Sequence, residues 1–434
     1  VRAPTMGVKI DPKCAVGVRE KLAAPLTALH VQNGMFIQRS SIEGLLECES
    51  VLPQSGKVHE ELTSYIDDSP VTEFVYGTLS RELLARNRYE PNSSGLISDI
   101  DEYSDLASLS ERLVSTFCSL PYWYTFSTPL PAPLSEALSI LKEPLALNEH
   151  VRLLPINDQV LAEFEPSTGD EALDRHVHGG GMLGPKTPPP WHGVYFQIQV
   201  PGFIGTFTRT APVAKSENVL KAFFGLLLAL RAIRRTFSFS PSVTRTFIIH
   251  RREQGRWALH ERSDLDPETS AVLSDISLEN LDGIIPQDQQ ALWTRSQILK
   301  IRSVFLNENR SDKIILSAQW LFDSYTSRNE LLAFVQAMVC LEILLGDKAS
   351  SDVIGLGELL RNRCAYMVGK TPTQREEILR DFSEIYKVRS QIVHRGKSVL
   401  RNRERALFYQ LRWLCSRVLQ EEIDLLIADP AARA

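Results

Sequence analysis

The chain has 434 residues and a formal net charge of −5, with 43% of its residues hydrophobic and 23% charged. These values fit a globular protein with room for two or three domains and real cores, and they argue against a globally basic nucleic-acid binder. The charge is unevenly placed: residues 361–417 carry 14 Lys/Arg against 5 Asp/Glu, a local excess that suits a polyanionic partner or a solvated helical face.

Six cysteines, Cys14, Cys48, Cys118, Cys340, Cys364 and Cys415, are scattered without a CxxC pair. They read as reduced, buried thiols of an intracellular protein. No signal peptide is evident. The longest apolar run, 222–230, is well short of the roughly 20 residues that a membrane span requires, so a cytoplasmic location is expected.

In chain order, residues 1–165 read as a mixed α/β region. VQNGMFIQR (31–39) places a turn between short strand-like pieces. Helices are expected near 80–87, 106–118 and 134–141, with Pro-rich pieces at 121–133 as interruptions. The acidic DIDEYSD (99–105) reads as a loop or helix start rather than a cation site.

Residues 166–192, rich in Gly and Pro, read as a loop or linker that holds His176 and His178. No suitably spaced further ligands stand nearby for a metal. Residues 193–305 read as a β-rich α/β unit. VYFQIQV (194–200) alternates, and FIGTFTRTA (203–211) is its expected hairpin partner. Ser216 is expected to cap a core helix over 217–235, followed by two strands within 244–262 and a helix near 292–305.

The last third, 310–428, reads as consecutive helices with short breaks, which implies an antiparallel bundle. Ser311 caps the first helix, and Ser327 with Glu330 forms a capping box for the second, whose run LLAFVQAMVCLEILL makes it the central one. A third helix runs from Gly355 to Val368, and a fifth over 401–428. The expected fold class is therefore an α+β N-terminal region followed by an all-α C-terminal bundle.

The fourth helix spans TPTQREEILRDFSEIYKVRSQIVHRG (371–396). Thr371 is a good N-cap, Pro372 suits the first position, Gln374 completes a capping box and Gly396 fits a left-handed C-terminal residue. Ile378, Phe382, Ile385, Tyr386, Ile392 and Val393 form one apolar stripe, with Arg389 near its middle. A guanidinium aimed at a packing face needs a partner, because burying it unpaired is costly. Ser390 and His394, four apart, lie on the flank.

Arg389 and His394 spell Arg-x4-His, a string that chance supplies about once in such a chain. The same string recurs at Arg245 and His250 in a strand-like run, where residues five apart point to opposite faces. Setting separates the two copies. The 389–394 copy ends a bundle helix, follows a helix with one acid, Glu342, in an apolar run, and lies in the basic tract.

FVQAMVCLEILLGD (334–347), LGELLRNRCAYMVG (356–369) and IYKVRSQIVHRGK (385–397), in this order and spacing, resemble the HEPN superfamily and, within it, the Apea-like group. The resemblance covers about 310–428. It implies a metal-independent endoribonuclease without cofactor, in which two protomers dock with both motifs facing one cleft. Arg389 and His394 would be the catalytic pair, Ser390 and Glu342 supporting residues, and Arg395, Lys397, Arg401 and Arg403 the RNA-binding residues. RNA, with tRNA among its candidates, would be the substrate. A toxin or antiphage defence effector controlled by its N-terminal region is the implied setting.

The chemistry suits these residue types. RNA supplies its own 2′-OH nucleophile; imidazole transfers protons, and guanidinium matches phosphate oxygens. Three other expectations stay open: a non-catalytic HEPN scaffold that dimerises or binds RNA, an activity in the N-terminal region through His176 and His178, and, weakest, nucleotidyl transfer.

Overall fold

The computed structural model describes residues 8–165, 192–206, 210–236, 244–281, 284–286, 289–347 and 355–428. His176, His178 and all but one residue of the Gly/Pro-rich stretch lie outside the described residues.

The first unit is mostly helical: α1 (Pro12–Thr27), α2 (Leu46–Glu49), α3 (Lys57–Tyr65), α4 (Pro70–Ala85) and α5 (Leu106–Phe117). Strand β1 (His30–Gln32) pairs with β2 (Phe36–Ile37) and with β3 (Ser94–Leu96). The β1–β2 turn forms where expected, because Asn33 and Gly34 both take positive φ (50° and 72°), which few other residues adopt cheaply. Within the acidic run, Asp101–Tyr103 is a short 3₁₀ turn, and Asp105 caps α5 by accepting the N–H groups of Ala107 and Ser108. Leu22, Leu26, Leu45, Phe74, Leu79 and Leu113 are among the residues of this unit's core.

A six-stranded sheet follows, in the order β10-β9-β4-β7-β6-β5, with every neighbouring pair antiparallel. Its strands are β4 (Tyr122–Pro129), β5 (Leu145–Ala146), β6 (Val151–Pro155), β7 (Val194–Gly202), β9 (Thr246–Glu253) and β10 (Arg256–Asp264). Helices α6 (Ala132–Ala137), α7 (Asp158–Glu163), α8 (Ala211–Ala229) and α9 (Pro267–Ser274) decorate it, and β8 (Ile233–Arg235) pairs separately with β11 (Ile276–Leu278).

The expected hairpin does not form. Residues 203–206 are irregular, and β7 pairs instead with β4 and β6, so strands from before residue 166 build the sheet with those after 192. Nor does Ser216 cap a helix: α8 begins at Ala211 with Pro212 in its first turn, and Ser216 is buried inside it. The expected strands within 244–262 are β9 and β10.

The C-terminal part has no strand among its described residues and consists of α10 (Gln290–Leu306), α11 (Glu308–Thr326), α12 (Glu330–Leu345), α13 (Leu356–Val368), α14 (Pro372–Arg395) and α15 (Asn402–Ala428) with short connections. Asn329, rather than Ser327, caps α12, accepting the N–H groups of Leu331 and Leu332. Glu330 consequently closes no capping box and pairs with Arg405 of α15 at 3.0 Å.

Helix α8 joins the layers. One side packs on the sheet, with Phe223 and Phe196 centroids 4.7 Å apart, and another meets α11, with Phe224 and Phe322 at 6.1 Å. Gly225 permits this approach, since a Cβ there would lie 1.9 Å from the carbonyl oxygen of Ala318. Lys221 and Asp323 form an ion pair at 2.8 Å across the same contact. One apolar core therefore runs from Tyr124 to Leu426, across the boundary expected near 305–310. Cys340, Cys364 and Cys415 lie in it; Cys48 is buried in the first unit, whereas Cys14 and Cys118 are only half-buried. Among the described residues no helix is long and apolar enough to cross a membrane.

Candidate active site

Helix α14 carries the motif and is fixed at both ends as its sequence implies. Thr371 Oγ accepts the Gln374 N–H at 3.2 Å, and Gln374 Oε1 accepts the Thr371 N–H at 3.3 Å. Gly396 takes φ 63° and ψ 36°, its N–H donating to the Gln391 carbonyl. Ile378, Phe382, Ile385 and Val388 are buried against the bundle. The expected stripe holds through Tyr386 and Ile392, which are half-buried, but ends there: Val393 is 47% exposed. Residues 393–396, the end of α14 and its cap, are exposed.

Arg389 points the other way. Its terminal nitrogen lies 3.3 Å from Glu342 Oε1 of α12, and both side chains are 21% exposed. Its guanidinium also sits 6.0 Å from the Tyr386 ring centroid, while its buried Nε has no hydrogen-bond partner. The guanidinium thus finds the acid that its place in the apolar stripe demands, at a half-buried edge.

His394 is exposed and has no hydrogen-bond or ion-pair partner among the described residues. Residues five apart on a helix differ by about 140° in direction. Arg389 therefore faces α12 while His394 faces solvent, and no hydrogen bond joins them. Ser390, half-buried, lies one turn below His394.

The surrounding cations sort into two groups. Most of the basic tract is neutralised within the fold: Arg361 by Glu358, Lys370 and Arg417 by Glu421, Lys387 by Glu384, and Arg405 by Glu330. Lys397 joins this group. Its Nζ lies 2.8 Å from Glu404 Oε1, the two side chains being 14% and 16% exposed, so this expected RNA-binding residue is paired within the fold. Burial alone would raise the Glu404 carboxyl, but the Arg401 N–H and the Lys397 ammonium hydrogen-bond to it and hold it below the usual carboxylate range. With Leu400 buried beneath, this pair pins the segment between α14 and α15. Arg395, Arg401 and Arg403 remain exposed, without an ion-pair partner among the described residues.

The second copy of the string is structural. Arg245 donates to the carbonyls of Pro129 and Leu273, and His250 is buried within the sheet, its Nε2 3.0 Å from the Glu165 carbonyl. Burial lowers the His250 pKa to about 4. Among the described residues no group of three or more His, Cys, Asp or Glu is placed to hold a metal ion.

His394, an exposed group capable of proton transfer, is followed along the chain by Arg395, Arg401 and Arg403, exposed guanidiniums of the kind that suits phosphate. Comparison with known proteins adds no relative: no family model, no curated protein and no solved structure matches the chain.

Proposed function

We propose that the C-terminal bundle is a HEPN-type, metal-independent endoribonuclease acting as a homodimer. His394 takes the proton of an RNA 2′-OH as that oxygen attacks the adjacent phosphate; the P–O5′ bond breaks, leaving a 2′,3′-cyclic phosphate on one fragment, and the departing 5′-oxygen takes up a proton to become a 5′-hydroxyl on the other. Arg389 stabilises the charge on the phosphorane, and Glu342 orients it. Arg395, Arg401 and Arg403 hold the RNA backbone, tRNA being one candidate substrate, and Ser390 supports the site. A second copy brings another His394 to the same cleft and covers Val393. In this reading the N-terminal two-thirds control a toxin or antiphage effector in the cytoplasm.

The observation that carries the proposal is the contrast in pairing: most cations of the tract are neutralised within the fold, whereas, among the described residues, His394 has no hydrogen-bond or ion-pair partner, and neither its chain neighbour Arg395 nor Arg401 and Arg403 farther along have an ion-pair partner. The test is cleavage of a mixed RNA substrate by the full chain with and without EDTA, beside His394→Ala and Arg389→Ala. Loss of cleavage in both folded variants, with no EDTA effect, supports the mechanism. Activity unchanged in either variant removes that residue from the site.

A second reading is a non-catalytic HEPN scaffold that only dimerises or binds RNA. The Arg389–Glu342 pair favours it, since a guanidinium engaged at 3.3 Å within its own chain already has a structural use. RNA retention without cleavage under all conditions selects this reading.

A further inference from the structure

The two faces of the central sheet differ. The face toward α8 is apolar, with Phe126, Phe196, Ile198, Phe247 and Ile249 in the main core. The opposite face is apolar only in part, where Leu154, Phe164, Tyr195 and Ile248 form a small cluster. Beside that cluster runs a row of polar side chains across three strands. In register, Arg152 of β6 stands opposite Gln197 of β7, and Gln197 opposite Ser127 of β4. Arg152 Nε donates to Gln197 Oε1 at 2.7 Å, and Gln197 Nε2 donates to Ser127 Oγ at 2.9 Å. Gln197 and Ser127 are fully buried.

This row fixes the Arg152 guanidinium by one nitrogen. Its two terminal nitrogens have no hydrogen-bond or ion-pair partner among the described residues, although the side chain is half-buried and lies 5.7 Å from the Phe164 ring. Burial lowers the Arg152 pKa, the nearby Glu163 carboxylate opposing this in part. A buried network of two polar residues thus aims a guanidinium and leaves its fork open to a further acceptor.

The open fork lines a cleft of about 640 Å³. Arg252 and Arg256, from the two arms of the β9–β10 hairpin, line it too, both without an ion-pair partner among the described residues. Trp257, stacked on Phe164, supplies an apolar wall, and Gln199, Glu163 and Glu165 supply polar groups. The volume falls within the range of small-molecule sites, about 300–1,000 Å³. Three guanidiniums against two exposed carboxylates favour a ligand bearing more than one negative charge, and the forked geometry matches phosphate oxygens.

We propose that this cleft binds a phosphate-bearing small molecule of nucleotide size, with its phosphate on the terminal nitrogens of Arg152 and under Arg252 and Arg256. Glu163, Glu165 and Gln199 meet hydroxyl or amino groups of the remainder. The site stands on the opposite side of the sheet from α8 and is independent of the ribonuclease reading.

Calorimetric titration of the full chain tests it, with inorganic phosphate, a nucleoside, its 5′-monophosphate and citrate as probes. The monophosphate is expected to bind at least about tenfold tighter than the nucleoside, Arg152→Lys to weaken it about tenfold or more, and Arg39→Ala, on the first unit's surface, to leave it unchanged. Should Arg152→Lys fail to fold by circular dichroism, Arg252→Ala/Arg256→Ala decides, because both residues are exposed; its expected effect is also a loss of about tenfold. The proposal is overturned if nucleoside and monophosphate bind alike, if citrate binds and the phosphates do not, if nothing binds at millimolar concentration, or if the arginine variants bind as the parent does.

Discussion

Arg389 of α14 and Glu342 of α12 form a half-buried ion pair at 3.3 Å, which orients the guanidinium across the helix from His394. The pair gives Arg389 both a structural partner and a fixed direction. Removing either member leaves the other partly buried and unpaired. Glu342→Ala and Arg389→Ala are each expected to cost about 1–3 kcal/mol in urea denaturation, and the double variant less than their sum. Strict additivity would mean that the two groups do not interact in solution.

The division of the basic tract into paired and free cations predicts a matching division in RNA binding. Each of Arg395→Ala, Arg401→Ala and Arg403→Ala is expected to reduce the slope of log K against log salt by about 0.7 for single-stranded RNA. Lys397→Ala, which breaks the pair with Glu404, is expected to lower stability and to change the slope less. Equal slopes for all four variants would place the RNA elsewhere.

Gly225 sets the distance between α8 and α11. An added methyl would meet the Ala318 carbonyl at 1.9 Å, and backbone on both sides leaves no flexible group to yield. Gly225→Ala should therefore destabilise the chain by about 1–3 kcal/mol or more, despite the better helix propensity of Ala. A neutral or stabilising result in denaturant melts would show that the two helices can separate.

The buried histidines of the sheet predict an acid-side loss of stability. Burial lowers the His250 pKa to about 4 and that of His260 well below its ordinary value. In the unfolded chain both titrate near 6.5, so between that pH and about 4 the unfolded state binds more protons. Stability should fall as pH drops through this window, by up to about 3 kcal/mol from His250 alone, and that contribution should level off below its folded pKa. His250→Gln should flatten the dependence of melting temperature on pH, whereas an unchanged slope would assign the loss to other groups.

Helix α14 was legible in the sequence because its ends are local, whereas Ser327 and Ser311, expected as caps of two earlier helices, cap neither. Thr371, Pro372, Gln374 and Gly396 each act within one turn, and all four behave as their types imply. The sheet was less legible. The prolines around 121–133 suggested interruption, yet YWYTFSTP, which follows Pro121 and ends on Pro129, is strand β4, in the middle of the sheet. Its aromatic and β-branched residues carried that signal, and the prolines stand only at its ends. β7 was expected to turn back on the next segment, but its partners are β4 and β6, both of which lie far back along the chain, before residue 166. Such pairings depend on tertiary contacts that local pattern does not encode.

At the candidate site, residue types and helix position were readable, and pairing was not. Lys397 and Arg395 stand two apart in one basic run. Only the fold distinguishes the first, bound to Glu404, from the second, which is free. The open fork of Arg152 had no sequence signal, since it depends on Gln197 in a strand 45 residues away.

The most direct measurement is the chemistry of the cut ends after incubation of the purified full chain with RNA in EDTA. Attack by the 2′-OH through His394 and Arg389 predicts a 2′,3′-cyclic phosphate or 3′-phosphate on one fragment and a 5′-hydroxyl on the other. It also predicts that a single 2′-deoxy substitution blocks cleavage at that position, and that His394→Ala yields no cut. Intact RNA, cleavage that persists in His394→Ala, or a 5′-phosphate with a free 3′-hydroxyl would contradict the proposed mechanism.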